Sequence, residues 1–202
     1  ARDVVIPDYI EGYPVTVIAE NAFAGYGRTV TAMTVKLPSK LKRIEKGAFN
    51  GCASLREIYF PESLEYIGYD SFRDCKLLGQ VVIPDGATVD TYAFRNSTGL
   101  GTVTIGSDVT MPSSAYSGNY RIRELIIKEG VKSVSVALGT QYLMESIYIP
   151  ASVESLPNSI FSGNKKTVKV YGIPGSYAET YAMSNSSKYT FVEYDMTGTT
   201  TS

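Results

Sequence analysis

The chain of 202 residues contains no histidine, no tryptophan and only two cysteines. Without imidazole, the commonest general base is missing and most nucleophile triads are excluded. Two thiols alone make a poor zinc site, so neither metal nor other cofactor is expected. Charge of one sign is missing too: 19 Lys plus Arg stand against 20 Asp plus Glu, a formal net charge of −1. Such a balance supplies no field to hold nucleic acid or an anionic membrane. No apolar run approaches the roughly 20 residues that span a bilayer, and neither a Gly-rich phosphate loop nor an Asp-rich calcium loop is found. The opening Ala1-Arg2-Asp3-Val4 lacks the plan of a secretory leader and enters a strand almost at once, so it is read as the start of a processed or trimmed chain.

What the chain does contain is a recurring hydrophobic phrase. Its plainest copies are Leu55-Arg56-Glu57-Ile58-Tyr59-Phe60-Pro61, Val81-Val82-Ile83-Pro84 and Ile147-Tyr148-Ile149-Pro150. The last apolar residues of successive phrases, Leu37, Phe60, Ile83, Ile105, Ile127 and Ile149, are spaced by 23, 23, 22, 22 and 22 residues. A fixed period of this length is the mark of a solenoid. Ile6 and Val170 extend the series to eight strands, with insertions in the first repeat.

Within a repeat the alternation Glu57-Ile58-Tyr59-Phe60 has the two-residue period of a strand, with Ile58 and Phe60 inward. Proline after the strand has no N–H for the ladder and turns the chain. The return leg carries Leu64, Ile67 and Phe72, counterparts of Leu41, Ile44 and Phe49. Their spacing is too irregular for a long helix and predicts short helical turns or extended, irregular segments. Phe49, Phe72 and Phe94 should form one interior ladder. Cys52 and Cys75 hold equivalent positions, followed in later repeats by Ser97, Asn119, Gln141 and Asn164. Buried reduced thiols are one reading; a disulfide is the other, since strands ~4.8 Å apart bring Cα atoms within bridging range.

The pattern Val35-Lys36-Leu37-Pro38, Leu41, Ile44, Ala48-Phe49 and Cys52 resembles the BspA-type leucine-rich repeat of bacterial surface proteins. The longer first repeat, from Ile6 to Thr16, and the closing stretch from Tyr171 to Ala182 are similar to segments of that family, and the likeness covers about residues 3 to 195. Tyr116 and Leu138 depart from it where Phe is usual, as do Gly106 and Lys128 where Pro is usual, which leaves the outer path of residues 106 to 144 open. The resemblance implies a right-handed leucine-rich-repeat solenoid with a parallel sheet of about eight strands. It also implies a non-enzymatic protein at the bacterial surface or outside the cell, concerned with adhesion or with host and glycan contact. Residues 1–195 are read as one domain, with a C-terminal cap over about 171–195 and a polar tail or linker over 196–202. In the cap, Ser176 should start a short helix whose Tyr177, Ala178, Tyr181 and Ala182 share one face, before a last strand from Tyr189 to Tyr194.

The informative surface is the outward side of the sheet. Its central column is expected to read Val5, Lys36, Tyr59, Val82, Thr104, Ile126, Tyr148 and Lys169, an apolar and aromatic middle with a lysine toward each end. The neighbouring column holds Glu57 and Glu124 three repeats apart, roughly 14 Å at ~4.8 Å per strand, beyond the ~5 to 9.5 Å of a glycosidase pair. Strand propensity alone would also place Val, Ile, Thr and Tyr there. Two functions remain: a binding or adhesion module that offers Lys36, Tyr59, Val82, Thr104, Ile126, Tyr148 and Lys169 to a protein or carbohydrate ligand, or a structural spacer or self-assembly scaffold without a ligand. Neither calls for nucleic acid or membrane insertion. The uncovered N-terminal edge strand is open to self-association.

Overall fold

In the computed structural model, which describes residues 2–26 and 33–194, each repeat contributes an inner strand to a stacked parallel sheet and returns along an outer leg. The first repeat holds β1 (Arg2–Val5), a hairpin of β2 (Tyr9–Ile10) and β3 (Tyr13–Pro14), and an outer strand β4 (Val17–Ile18). Glu11 and Gly12, both at positive φ, make the two-residue turn of this hairpin, which supplies part of the extra length of the repeat. Inner and outer strands then alternate as β5 (Met33–Lys36) and β6 (Arg43–Ile44), β7 (Leu55–Tyr59) and β8 (Tyr66–Ile67), and β9 (Gln80–Ile83) and β10 (Thr88–Val89). The inner strands continue with β11 (Thr102–Ile105), β12 (Glu124–Ile127), β13 (Ser146–Tyr148) and β14 (Val168–Gly172). Helix α1 (Tyr177–Met183) and β15 (Tyr189–Glu193) close the C-terminal end. The tail predicted over 196–202 lies outside the described residues.

Of the two expected forms of the outer leg, helical turns or extended segments, the extended one prevails. In the first four repeats they are short strands, paired in the order β10-β8-β6-β4 as a second parallel sheet. Ile18, Ile44, Ile67 and Val89 occupy equivalent buried positions there, and β-branched side chains suit a pleated, half-buried surface. A helical turn appears only once on these legs among the described residues, the 3₁₀ turn Ser113–Tyr116. At the two positions without proline, other devices hold the turn. A Cβ on Gly106 would lie 2.2 Å from Asp85 Oδ1, so only glycine leaves room for that carboxylate, which accepts from Ser107 N at 3.0 Å. Lys128 reaches the same Asp85 at 3.3 Å and Glu62 at 3.7 Å, tying three repeats together.

The interior is an aromatic column. Phe23, Phe49, Phe72, Phe94 and Tyr116 stack with ring centroids 5.1 to 5.4 Å apart and planes within 12°. The sequence placed three of these rings in the ladder, and the structure adds one at each end. Offset stacking adds to the burial of large apolar rings. Beside them runs the polar ladder. Cys52 Sγ, Cys75 Sγ, Ser97 Oγ and Asn119 Nδ2 donate to the carbonyls of Phe23, Phe49, Phe72 and Phe94 respectively. Each small side chain thus satisfies a backbone acceptor of the preceding repeat. Gln141 breaks the series by donating to Leu138 O in its own repeat.

Both cysteines are buried and no disulfide joins them, so the reading as buried thiols holds. Burial, reinforced by the neighbouring Cys52, raises the Cys75 thiol well above its ordinary range. Because the thiolate is the nucleophile, native protein should resist alkylation by iodoacetamide over hours and take up two equivalents once unfolded. Rapid native labelling, counted by mass spectrometry, would contradict this burial.

The C-terminal cap covers the open core with Ala178, Tyr181 and Ala182, all buried, while Tyr177 packs partly against it. Ser176 holds the N-cap position, but its hydroxyl donates to Ile173 O and does not cap the helix. At the other end, among the described residues, β1 pairs only with β5 and forms the edge of that sheet.

Candidate functional site

Alternation along each strand puts one residue in two outward, and parallel register aligns those residues across repeats. The central column is realised in two blocks. Val5, Lys36 and Tyr59 are cross-strand partners on β1, β5 and β7. Val82, Thr104, Ile126 and Tyr148 are partners on β9, β11, β12 and β13. Lys169 is not in this column. It pairs with Ser146, and Tyr171 is the partner of Tyr148. The predicted series took Val170 as the counterpart of Ile149, whereas the residue in register is Gly172. No apolar marker stands there because a Cβ on Gly172 would come within 2.3 Å of Ala178 Cβ of the capping helix. The slip of two residues preserved inward and outward but moved Lys169 one column aside, beside Glu124 and Ser146.

With Tyr171 in place, the C-terminal part of the face becomes an aromatic patch. Tyr148 and Tyr171 stack at 4.6 Å with planes 7° apart, and Tyr194 meets both edge-on at 5.6 and 5.8 Å. Tyr148 is therefore half-buried, and its phenol is raised by burial first and by the charge of Glu124 second. Tyr171 was legible only from a 23-residue step beyond Tyr148, which the glycine concealed; Tyr194 lies just past β15 and outside the column, where Val192 is the partner of Tyr171.

The N-terminal part is more open. Tyr59 is 60% exposed and Val82 43%. The main sheet is interrupted between them: β1, β5 and β7 form one sheet, and β9 begins another that runs through β15. Across the gap Gly79 N donates to Arg56 O at 3.3 Å, but no ladder follows. A slot of about 200 Å³ opens there, walled by Tyr59 and Val82, floored by Ile58, Phe60 and Val81, with Glu57 at its rim. Phe60 stands where neighbouring repeats have Leu37 and Ile83, and its ring leans on Phe72 at 5.5 Å. Tyr59 donates to Glu57 Oε2 at 3.1 Å, which fixes the wall of the slot and raises the Tyr59 phenol. The arrangement is a row of aromatic and aliphatic side chains with hydrogen-bonding tips beside a polar column of Glu57, Gln80, Thr102 and Glu124. Among the described residues no group of three or more His, Cys, Asp or Glu is placed to hold a metal ion. No helix among them is long and apolar enough to cross a membrane.

Solved structures resemble this one, a leucine-rich-repeat protein among them. The pneumococcal vaccine antigen PcpA superposes with a TM-score of 0.69 at 18% identity, over 96% of this chain and 56% of that one. The present chain thus spans little more than half the length of the antigen's chain. A leucine-rich-repeat protein of T. pallidum superposes with a TM-score of 0.56 at 20% identity, over 95% of this chain and 86% of that one. Among curated proteins none matches the sequence. The BspA type leucine rich repeat region matches in six copies, over residues 16–138 and 42–168. The chain belongs to the BspA-type leucine-rich-repeat family.

Proposed function

We propose that this domain is a non-catalytic binding module, displayed outside a bacterial cell, that holds an extended protein or glycan ligand along its outward sheet face. One observation supports the reading above the others: the exposed Tyr59 and Val82 flank an apolar slot, in the same column that leads to the Tyr148–Tyr171–Tyr194 patch. Strand propensity accounts for exposed Tyr and Val singly, but not for a sheet that parts between them. Rigid aromatic side chains bury large area at low entropic cost and keep a polar tip for hydrogen bonding, as contact residues of interfaces do. Surface display is carried over from the family, and the likeness to a vaccine antigen agrees with it.

A screen of host proteins and glycans against the isolated domain tests the proposal. Tyr59→Ser combined with Tyr148→Ser should weaken capture of the selected ligand at least tenfold, the effect of losing hot-spot contacts of 1 to 2 kcal/mol. Unfolding should shift by less than about 1 kcal/mol for Tyr59→Ser alone, and by up to about 3 kcal/mol for the double variant, which also loses the two ring contacts of Tyr148. Unchanged affinity would remove the sheet face as the site. A screen without any ligand would leave the spacer function instead.

A further inference from the structure

The outer legs are joined rung by rung until the fifth repeat. The N–H groups of Phe23, Phe49, Phe72 and Phe94 donate to Ala48, Ser71, Ala93 and Ala115 of the next repeat at 2.7 to 2.9 Å. Gly25, Gly51, Asp74 and Asn96 do the same two residues further on, to Asn50, Arg73, Arg95 and Ser117. Tyr116 and Gly118, next in the two series, make no such rung. The ladder resumes with Leu138 N to Ile160 O and Gln141 N to Ser162 O. Between the unjoined legs lies a cleft of about 230 Å³.

Three features of this cleft point to a ligand. Its lining carries no charged side chain: Ser113, Ser114, Ser117 and Thr140 supply hydroxyls, and Tyr120 supplies a ring. Tyr120 is 48% exposed and leans on Tyr142, itself 54% exposed, at 5.6 Å. Tyr116, also part of the lining, is 2% exposed and its phenol oxygen has no hydrogen-bond partner. In the four preceding repeats the ladder ring is phenylalanine. A buried hydroxyl without a partner is destabilising, so packing alone gives no reason to prefer tyrosine here.

We propose that this outer cleft between repeats five and six binds a neutral saccharide, separately from the sheet face. The absence of charge disfavours an ion or a charged headgroup. A sugar hydroxyl both donates and accepts, as the serine and threonine hydroxyls do, and the Tyr120 ring offers an apolar surface to the C–H face of a pyranose. The volume lies below the ~300 to 1,000 Å³ of drug-sized pockets, which fits one ring of a longer chain. The Tyr116 oxygen is closed off in the empty cleft and gains its missing partner through a small shift of the Ser113–Tyr116 turn as the ring is seated.

Titration of the whole domain with maltose, cellobiose, lactose and an uncharged peptide of similar mass, followed by saturation-transfer NMR and calorimetry, tests this. At least one disaccharide should bind saturably. Tyr120→Ala and Tyr116→Phe should each weaken it by about tenfold, the equivalent of one stacking contact or one buried hydrogen bond. Tyr116→Phe should unfold at the same or a higher temperature than the parent, because it deletes only the unpartnered hydroxyl. The Tyr59→Ser, Tyr148→Ser variant should bind the sugar as the parent does, which separates this site from the sheet face. The proposal is overturned if no disaccharide binds, if the peptide competes for the cleft and binds better, or if both cleft variants retain full affinity. A Tyr116→Phe protein that melts earlier with unaltered sugar affinity would likewise overturn it, assigning the phenol to a buried water.

Discussion

Phe72→Ala is expected to destabilise the protein by about 3 to 5 kcal/mol, the range for deleting a buried ring and leaving a cavity. Phe72 is fully buried and touches three other rings: Phe49 at 5.2 Å, Phe94 at 5.4 Å and Phe60 at 5.5 Å. Few neighbours can collapse into the space, because each is held in register by its own backbone rung. In a solenoid each repeat contacts only its neighbours, so a weak repeat in the middle also uncouples the two ends. Urea unfolding should therefore show a lowered midpoint and a broadened transition. A loss below ~1 kcal/mol would mean that the aromatic column is not continuous at this point.

Ser97→Ala is expected to cost about 2 to 4 kcal/mol, far more than deleting one oxygen from a surface serine. The hydroxyl donates to Phe72 O at 2.5 Å and accepts from Cys75 N at 3.1 Å. In neighbouring repeats the equivalent turn closes directly, from Cys52 N to Phe49 O and from Asn119 N to Tyr116 O. In the repeat that holds Cys75 the bond runs through the side chain of the next repeat. Alanine would leave a buried donor and a buried acceptor without partners, each at ~1 to 3 kcal/mol. Amide exchange at Cys75 should rise strongly in this variant. Protection equal to the parent's would show that the backbone closes the turn unaided. Ser97→Thr, which keeps the hydroxyl, should recover part of the loss.

Outward and inward faces were readable because a strand has a period of two, and the slip at Val170, an even number of residues, left every side chain on its own face. The column assignment failed at Lys169 for a reason that lies outside the strand: the marker position is Gly172, kept small by a helix that follows it in sequence. Tyr171 was missed for the same reason, whereas Tyr194 reaches the aromatic patch from just past β15, outside the register of the column. The mixed outer legs were similarly underdetermined. Two-residue strands such as Arg43–Ile44 and Tyr66–Ile67 are too short to carry a periodic signal, and they become strands only by pairing with one another.

By itself the sequence determined the repeat, its period of 22 to 23 residues, the buried aromatic and polar ladders and the family. All of these follow from residue type at fixed spacing, and each repeat states them again. Only the tertiary structure decided where neighbouring repeats fail to join: between β7 and β9 on the sheet face, and between Tyr116 and Leu138 on the outer side. Whether two rungs close depends on how side chains from different repeats share one space, as Phe60 does against Phe72 and as Gly172 does beneath Ala178. The openings so produced come from those individual packings and not from the repeated pattern.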